Sequence, residues 1–358
     1  MNRTTNSLTL LAALAVLLPA GGPLLGGTLN TFFFTGGVNN DFFNELNWTE
    51  NANGTGANPV GDPIMDSATN AITLDLIIDG DSVIANGQVD FGTGSLTLEA
   101  GSVLAVAGPG NDLDINADST FSLSDAAIVV DDVINFEGDS SFSGGSVVSL
   151  TDDVAFQDNF VNLSIDGTSF VAADNIYFDG FTGSIANASF NSADRFGVRN
   201  NVAIVMSDTD IVVESGTGDI DDVFGAAGAG SSLTLLGASN LVADSVEEGA
   251  DLILGGSTIA IMGGQGARIV ADGSTITMDT MEAILVVQPL DSGDADFVDA
   301  RPFLINGITG LSYAADPSTW NVKNWNGSDL VTLQIVPEPT GLLLTMGALL
   351  LLAVRRTH

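Results

Sequence analysis

The sequence predicts an all-β chain, and within that class a parallel β-solenoid (β-helix) of coils about 20 residues long with aromatic end caps. Three observations point there. A short phrase recurs along the middle of the chain: a small polar residue, then Ser or Thr, then apolar and polar residues in alternation. That alternation has period two, which puts one face of a short strand in a core and the other in water. Helical patterning is absent, and the strong helix former Lys occurs only once, as Lys323. A β-sandwich is the alternative architecture. Its strands are equally short, but it does not require the sequence to repeat at a fixed interval.

The copies of the phrase set the expected coil length. Asp118-Ser119-Thr120-Phe121 is followed 21 residues later by Asp139-Ser140-Ser141-Phe142, and Asp131-Asp132-Val133 by Asp152-Asp153-Val154 at the same offset. Gly167-Thr168-Ser169-Phe170 and Asn187-Ala188-Ser189-Phe190 are 20 apart. Gly237-Ala238-Ser239-Asn240-Leu241, Gly255-Gly256-Ser257-Thr258-Ile259 and Asp272-Gly273-Ser274-Thr275-Ile276 carry serines 18 and 17 apart. Weaker copies are Gly80-Asp81-Ser82-Val83-Ile84 and Gly94-Ser95-Leu96-Thr97-Leu98. Gly, Asp, Asn and Ser between the phrases are turn formers. Phe121, Phe142, Phe170 and Phe190 are expected to point inward and stack along the axis. Over residues 71–289, about 20 residues per coil gives roughly 11 coils, and about 4.8 Å per coil gives a rod of roughly 50 Å.

Five segments follow. Residues 1–22 read as a secretory signal peptide, 23–70 as an N-terminal cap, 71–289 as the repeat domain, 290–335 as a C-terminal cap and 336–358 as a second address. The caps are inferred from aromatics: Phe32, Phe33, Phe34, Phe42, Phe43 and Trp48 at one end, and Phe297, Phe303, Tyr313, Trp320 and Trp325 at the other. A solenoid needs such ends because its terminal coils otherwise expose unpaired strand edges.

Composition narrows the function. Eight Lys+Arg stand against 45 Asp+Glu, for a formal net charge of −37, and there is no Cys. Nucleic acid is excluded as a partner, because phosphate neutralisation needs clustered basic residues. No Cys means no disulfide framework, no thiolate metal site and no Cys nucleophile. The one His, His358, lies in the C-terminal address, so the rest of the chain lacks the commonest general base. Paired acids do occur at Asp131/Asp132, Asp152/Asp153, Asp221/Asp222 and Glu247/Glu248, as a glycosidase on a β-helix would require. Acids spread evenly through turns read instead as a solvated acidic surface. Cations outside the two addresses are few: Arg195, Arg199, Arg268, Arg301 and Lys323. Arg195 and Arg199 beside Asp194 read as salt-bridged. The chain reads as non-enzymatic, with no catalytic residues assigned.

The two ends are addresses. At the start, Arg3 precedes the apolar run Leu8–Leu18 and small residues at Ala20, Gly21 and Gly22, the order a signal peptidase recognises. At the other end, Val336-Pro337-Glu338-Pro339 precedes an apolar run from Gly341 to Val354 and the basic tip Arg355-Arg356-Thr357-His358. This Pro-Glu-Pro box, hydrophobic segment and basic tip resemble the PEP-CTERM sorting signal of Gram-negative bacteria; such tails also carry the label ice-binding-protein C-terminal domain. The resemblance covers the last 23 residues and implies roles for Pro337, Glu338, Pro339, Arg355 and Arg356 in recognition by an exosortase-type sorting enzyme. It implies secretion across the inner membrane to the cell surface or extracellular matrix, and association with exopolysaccharide or biofilm. Contact with the membrane would then be limited to the C-terminal segment, a transmembrane helix before processing. A permanent C-terminal membrane anchor is the alternative; the 14 apolar residues fall short of the roughly 20 that span a bilayer comfortably.

Ligand sites are less marked. No cofactor is expected, with calcium as the one candidate ion: Asp112, Asp114, Asn116 and Asp118 place oxygen donors at alternate positions, which suits a hard cation. They lack the mid-loop Gly and distal Glu of a helix-loop-helix calcium loop. Trp320 and Trp325 are candidates for stacking on sugar rings, though five residues apart they fall on opposite faces of one strand. An adhesin or ice-binding surface is a further alternative. Against ice binding, the Thr residues in Ser95-Leu96-Thr97, Ser232-Leu233-Thr234 and Ser274-Thr275-Ile276-Thr277 hold no single register in the sequence. The functional expectation is an exported structural rod whose acidic, hydroxyl-rich surface bridges polysaccharide through divalent cations.

Overall fold

The computed structural model describes residues 31–59, 71–157, 162–180, 182–199, 202–213 and 231–243, with further short strands between and beyond these stretches. The fold is a parallel β-solenoid. From Asp75 to Glu247 the coils contribute strands to three sheets, here named A, B and C in chain order, and beyond Glu247 the described strands belong to A and B. One early coil runs Asp75–Ile78, Ser82–Ala85 and Val89–Phe91; the next runs Ser95–Leu98, Val103–Val106 and Leu113–Ile115. Among the described residues the sheets hold 14, 12 and 10 strands respectively.

Strand sequence explains strand structure. Along Ser95–Leu98, Val103–Val106 and Ala127–Val130 every second residue is buried, so the apolar positions face the axis and the intervening ones face out. The interior is one continuous apolar column. Phe121, Phe142, Phe170 and Phe190 all point inward, with at most 3 % exposure. Phe170 and Phe190 stack at 5.1 Å with ring planes 10° apart. A second column, from sheet C, was not singled out in the sequence. Phe136, Phe156 and Phe178 pair directly, and Phe156 lies 4.6 Å from Phe178 at 5°.

The register corrects part of the sequence repeat. Phe121 pairs with Ser140, and it is Leu123 that pairs with Phe142. Val133 likewise sits beside Asp153 rather than Val154, because Ile134 pairs with Val154. The Phe copies are thus displaced by two residues and the Asp-Asp-Val copies by one. A shift of two preserves the inward face, so Phe121 and Phe142 still meet at 5.2 Å. The recurring phrase also marks two places rather than one: Ser95 and Thr120 enter sheet A, whereas Ser82, Ser169 and Ser189 enter sheet B. Coils vary in length for the same reason. Asp75 pairs with Ser95, Ser95 with Thr120 and Thr120 with Asp139, so successive coils take 20, 25 and 19 residues.

At the A–B corner the connection is nearly invariant. Ile78 and Ser82, Leu98 and Val103, Ser124 and Ala127, and Ser143 and Ser146 end and begin consecutive strands. A residue of left-handed backbone turns the chain there: Gly80, Gly101, Asp125, Gly144, Gly167, Asn187, Asp208 and Gly237. Their amides bond from coil to coil, as in Asp125 N–H to Ser143 O, Gly144 N–H to Asp166 O and Asn187 N–H to Ser207 O. Small buried residues follow, among them Ser102, Thr168 and Thr209; Thr168 Oγ1 donates to Gly144 O at 2.9 Å.

Residues 31–58 close the first coil. The Thr31–Phe34 strand adds in parallel to Asp75–Ile78, then Trp48–Thr49 pairs with it antiparallel. The Asn40–Phe42 backbone bonds Ile84 on the edge of sheet B. Trp48 is fully buried between Phe34 and Phe42, and its Nε1 donates to Phe42 O at 2.8 Å. At the far end, Phe303–Ile305 pairs antiparallel with Ile308–Leu311, and Trp320–Asn324 with Val331–Ile335. Antiparallel additions of this kind cover the edge of the last parallel strand.

Among the described residues no helix is long and apolar enough to cross a membrane. Residues 1–22 and 336–358, including Pro337, Glu338, Pro339, Arg355 and Arg356, lie outside the described residues.

Candidate functional site

The chemistry gathers at the B–C corner. Ile134, Val154, Ile176 and Phe196 begin equivalent strands of sheet C and pair in sequence. Counting back two residues from each gives Asp132, Asp152, Asp174 and Asp194. Four aspartates therefore occupy one position in four successive coils. The backbone confirms the stacking: Asp174 N–H donates to Asp152 O, and Asp194 N–H to Asp174 O at 3.0 Å. Parallel strands lie about 4.8 Å apart, so the carboxylates form a ladder of like charge. Asp153 joins from the adjacent position. Among the described residues, Asp152, Asp153 and Asp174 are the group of three whose carboxylate oxygens come within 4.8 Å of one another.

The surroundings raise the cost of this charge. Partial burial, then the charges of Asp153, Asp194 and Asp152, push Asp174 up to about 6. Burial and the neighbours Asp153 and Asp132 also raise Asp152. Asp112, on the preceding coil, is raised by burial and by Asp114, Asp132 and Asp152, against a lowering bond from the Val133 amide. Compensation is local and incomplete. Asn175 donates through both its backbone N–H and Nδ2 to Asp153 Oδ1, each at 2.8 Å. Arg195 Nε lies 3.7 Å from Asp194 Oδ2 at the surface. Arg199 stacks its guanidinium 3.9 Å over the Tyr177 ring, and the Tyr177 hydroxyl accepts from Gln157 Nε2. The sequence reading placed the acids in solvated turns; the coil register instead stacks these four.

The calcium candidates occupy the neighbouring coil. Leu113–Ile115 is a strand of sheet C, with Asp114 facing out. Asp114 accepts from Gln88 Nε2 and from Asn135 Nδ2, both at 2.8 Å, and so links the coils on either side. Asp112 Oδ1 accepts from Val133 N–H at 3.2 Å, and Asn116 Nδ2 donates to Asp90 Oδ1. Asp118 is exposed in the turn after them. These bonds run from coil to coil and use the same oxygens a cation would need.

A second polar surface lies on the outer face of sheet A. Thr97 pairs with Ser122, Ser122 with Ser141, Ser141 with Ser164, and Ile165 with Ile185, which sets Ser164 beside Ser184. A hydroxyl thus holds one register over five coils. Four of the five are Ser, but the intervals between them are uneven, which hid the column in the sequence. A parallel column holds Ser124, Ser143 and Asp166. Between this face and the C–A corner lies a shallow groove of about 540 Å³, lined by Thr120, Asp139, Ser141, Asn162, Ser164 and Ser184 among others. Asp139 accepts from Asn162 N–H and Nδ2, both at 3.0 Å.

The remaining candidates fall at the C-terminal end. Trp320 opens the Trp320–Asn324 strand opposite Ile335, and Trp325 lies outside the described residues. Of the other acid pairs, Asp222 opens a strand of sheet C and Glu247 ends one, while Asp221 and Glu248 lie outside the described residues. No known protein family, curated protein or solved structure matches this chain.

Proposed function

We propose that this protein is an exported, non-enzymatic structural rod of the cell surface or extracellular matrix, associated with exopolysaccharide. One observation carries the reading: the hydroxyl column on the outside of sheet A repeats from coil to coil, as a polymer-facing surface would require. The groove beside Asp139 and Asn162 offers hydroxyl, amide and carboxylate groups to a polyhydroxylated chain and no cation to a polyanion. Divalent cations would screen and bridge the rest of the acidic surface. The terminal segments support export: Arg3 with its apolar run at one end, and Pro337, Glu338, Pro339, Arg355 and Arg356 at the other. Signal peptidase and an exosortase-type enzyme are the processing partners in this reading.

The test is fractionation of the native cells with intact-mass measurement of the protein. A form lacking the C-terminal tail in the surface or matrix fraction is expected. A full-length form held in the inner membrane would replace sorting with permanent anchoring. Binding of the purified chain to the cell's own polysaccharide, reduced by Ser141→Val and Ser164→Val together, would tie the sheet A face to the matrix role.

A further inference from the structure

We propose that the aspartate ladder on the B–C corner is a proton-binding device, which holds a shared proton in mildly acidic surroundings and couples the stability of the central coils to pH. The geometry carries the argument. Asp132, Asp152, Asp174 and Asp194 sit at one register position, so each inner rung has a like charge one strand spacing above and below. Asp153 adds a further charge within 4.8 Å of Asp152 and Asp174. Asp174 lies in the middle. From the preceding coil it meets Asp152 and Asp153, and from the following coil Asp194 with Arg195 beside it. Along its own strand are Tyr177 and Asp179, with Arg199 over the Tyr177 ring.

Two carboxylates facing each other at this spacing cannot both keep full charge cheaply, and a proton placed between them turns repulsion into a hydrogen bond. The contact between Asp174 and Asp194, and that between Asp152 and Asp132, have this character. No backbone movement is needed, because the parallel register already sets the side chains opposite one another.

The sign follows from linkage. A carboxyl that holds its proton more tightly in the folded chain than in the unfolded one stabilises the fold at low pH. That contribution is complete below the unfolded value of 3.8 and is lost as pH rises through about 6. The ladder therefore tightens the stack in acid and loosens it at neutral pH and above. This is the reverse of a carboxylate held in a salt bridge.

The experiment uses the full chain in chelating buffer. The side-chain carboxyl of Asp174, followed by carbon NMR, is expected to titrate with a midpoint near 6. In equilibrium unfolding, Asp174→Asn is expected to be more stable than the natural chain at pH 7.5. The difference should shrink as pH falls below about 6 and vanish by about pH 3, where Asp174 is neutral in the folded and unfolded chain alike. A midpoint for Asp174 near the ordinary 3.8 would overturn the proposal. So would a stability difference for Asp174→Asn that is the same at both pH values. If Asp174→Asn fails to fold, the NMR midpoint of the natural chain still decides.

Discussion

The A–B and B–C corners turn the same chain through similar bends, yet one relieves its own strain and the other accumulates it. At the A–B corner each coil places a left-handed Gly, Asn or Asp, and the amide of that residue bonds the next coil. Repetition there multiplies a favourable contact. At the B–C corner each of four coils places an aspartate, and repetition multiplies a repulsion. The lesson is that a solenoid has no neutral positions. A side chain in one coil meets its counterpart in the next, so the sign of a single pair becomes the sign of a whole column.

Substitutions can break this contrast or sharpen it. The largest effect is expected at Gly145, which has φ of 79° and whose added Cβ would stand 2.0 Å from Ala126 O. Gly145→Val should cost about 3 kcal/mol or more, read as a loss of denaturant midpoint or of folded protein altogether. Asn187 is next. Its φ is 51°, and its Nδ2 donates to Asp166 Oδ1 at 2.8 Å. Asn187→Ala should cost about 1–2 kcal/mol, whereas Asn187→Gly, free of the left-handed penalty, should stay within about 0.5 kcal/mol of the natural chain. Equal losses for the two variants would show that the side-chain bond, and not the backbone, sets this corner.

At the other corner the sign reverses. Asp152→Asn removes one rung of like charge and should add about 0.5 kcal/mol at pH 7.5, a gain that disappears in acid as its neighbours protonate. A loss at neutral pH would mean that Asp152 serves the fold through its hydrogen bond to the Asp153 amide instead. The smallest effect is expected at Arg195, which is 46 % exposed beside Asp194. Arg195→Ala should cost about 0.2–0.5 kcal/mol and should lose even that in high salt.

How much of this was legible in the sequence differs between the corners for a physical reason. The solenoid itself could be read because inward Phe and Val alternate with Ser and Thr, and because Phe170 and Phe190 fall in true register. The A–B corner was visible as Gly, Asn or Asp before each phrase, since only a few residue types accept left-handed backbone. The aspartate ladder was present only as two pairs, Asp131/Asp132 and Asp152/Asp153. Asp174 and Asp194 follow the phrases that open at Gly167 and Asn187 but were not joined to the pairs, because the coil lengths between the rungs differ. The hydroxyl column of sheet A escaped as well. Thr97, Ser122, Ser141, Ser164 and Ser184 stand at unequal intervals, and Ser is common at many other outward positions, so no fixed period picks them out. A one-letter repeat search follows identity, whereas the fold follows hydrogen-bond register.

The uneven coil lengths bear on how such a rod can be lengthened or decorated. The A–B connection is fixed to within a residue by its left-handed turn, so an insertion there would shift every side chain beyond it relative to the coil below. Between Val103–Val106 and Leu113–Ile115, by contrast, the chain already makes a longer excursion through Gly108 and Gly110, closed by Asn111 N–H to Gly108 O at 3.1 Å. Insertions and deletions during evolution should collect in excursions of this kind and avoid the A–B turn. An epitope or affinity tag grafted between Gly108 and Gly110 would be carried on the side of the rod with the sheets beneath it intact.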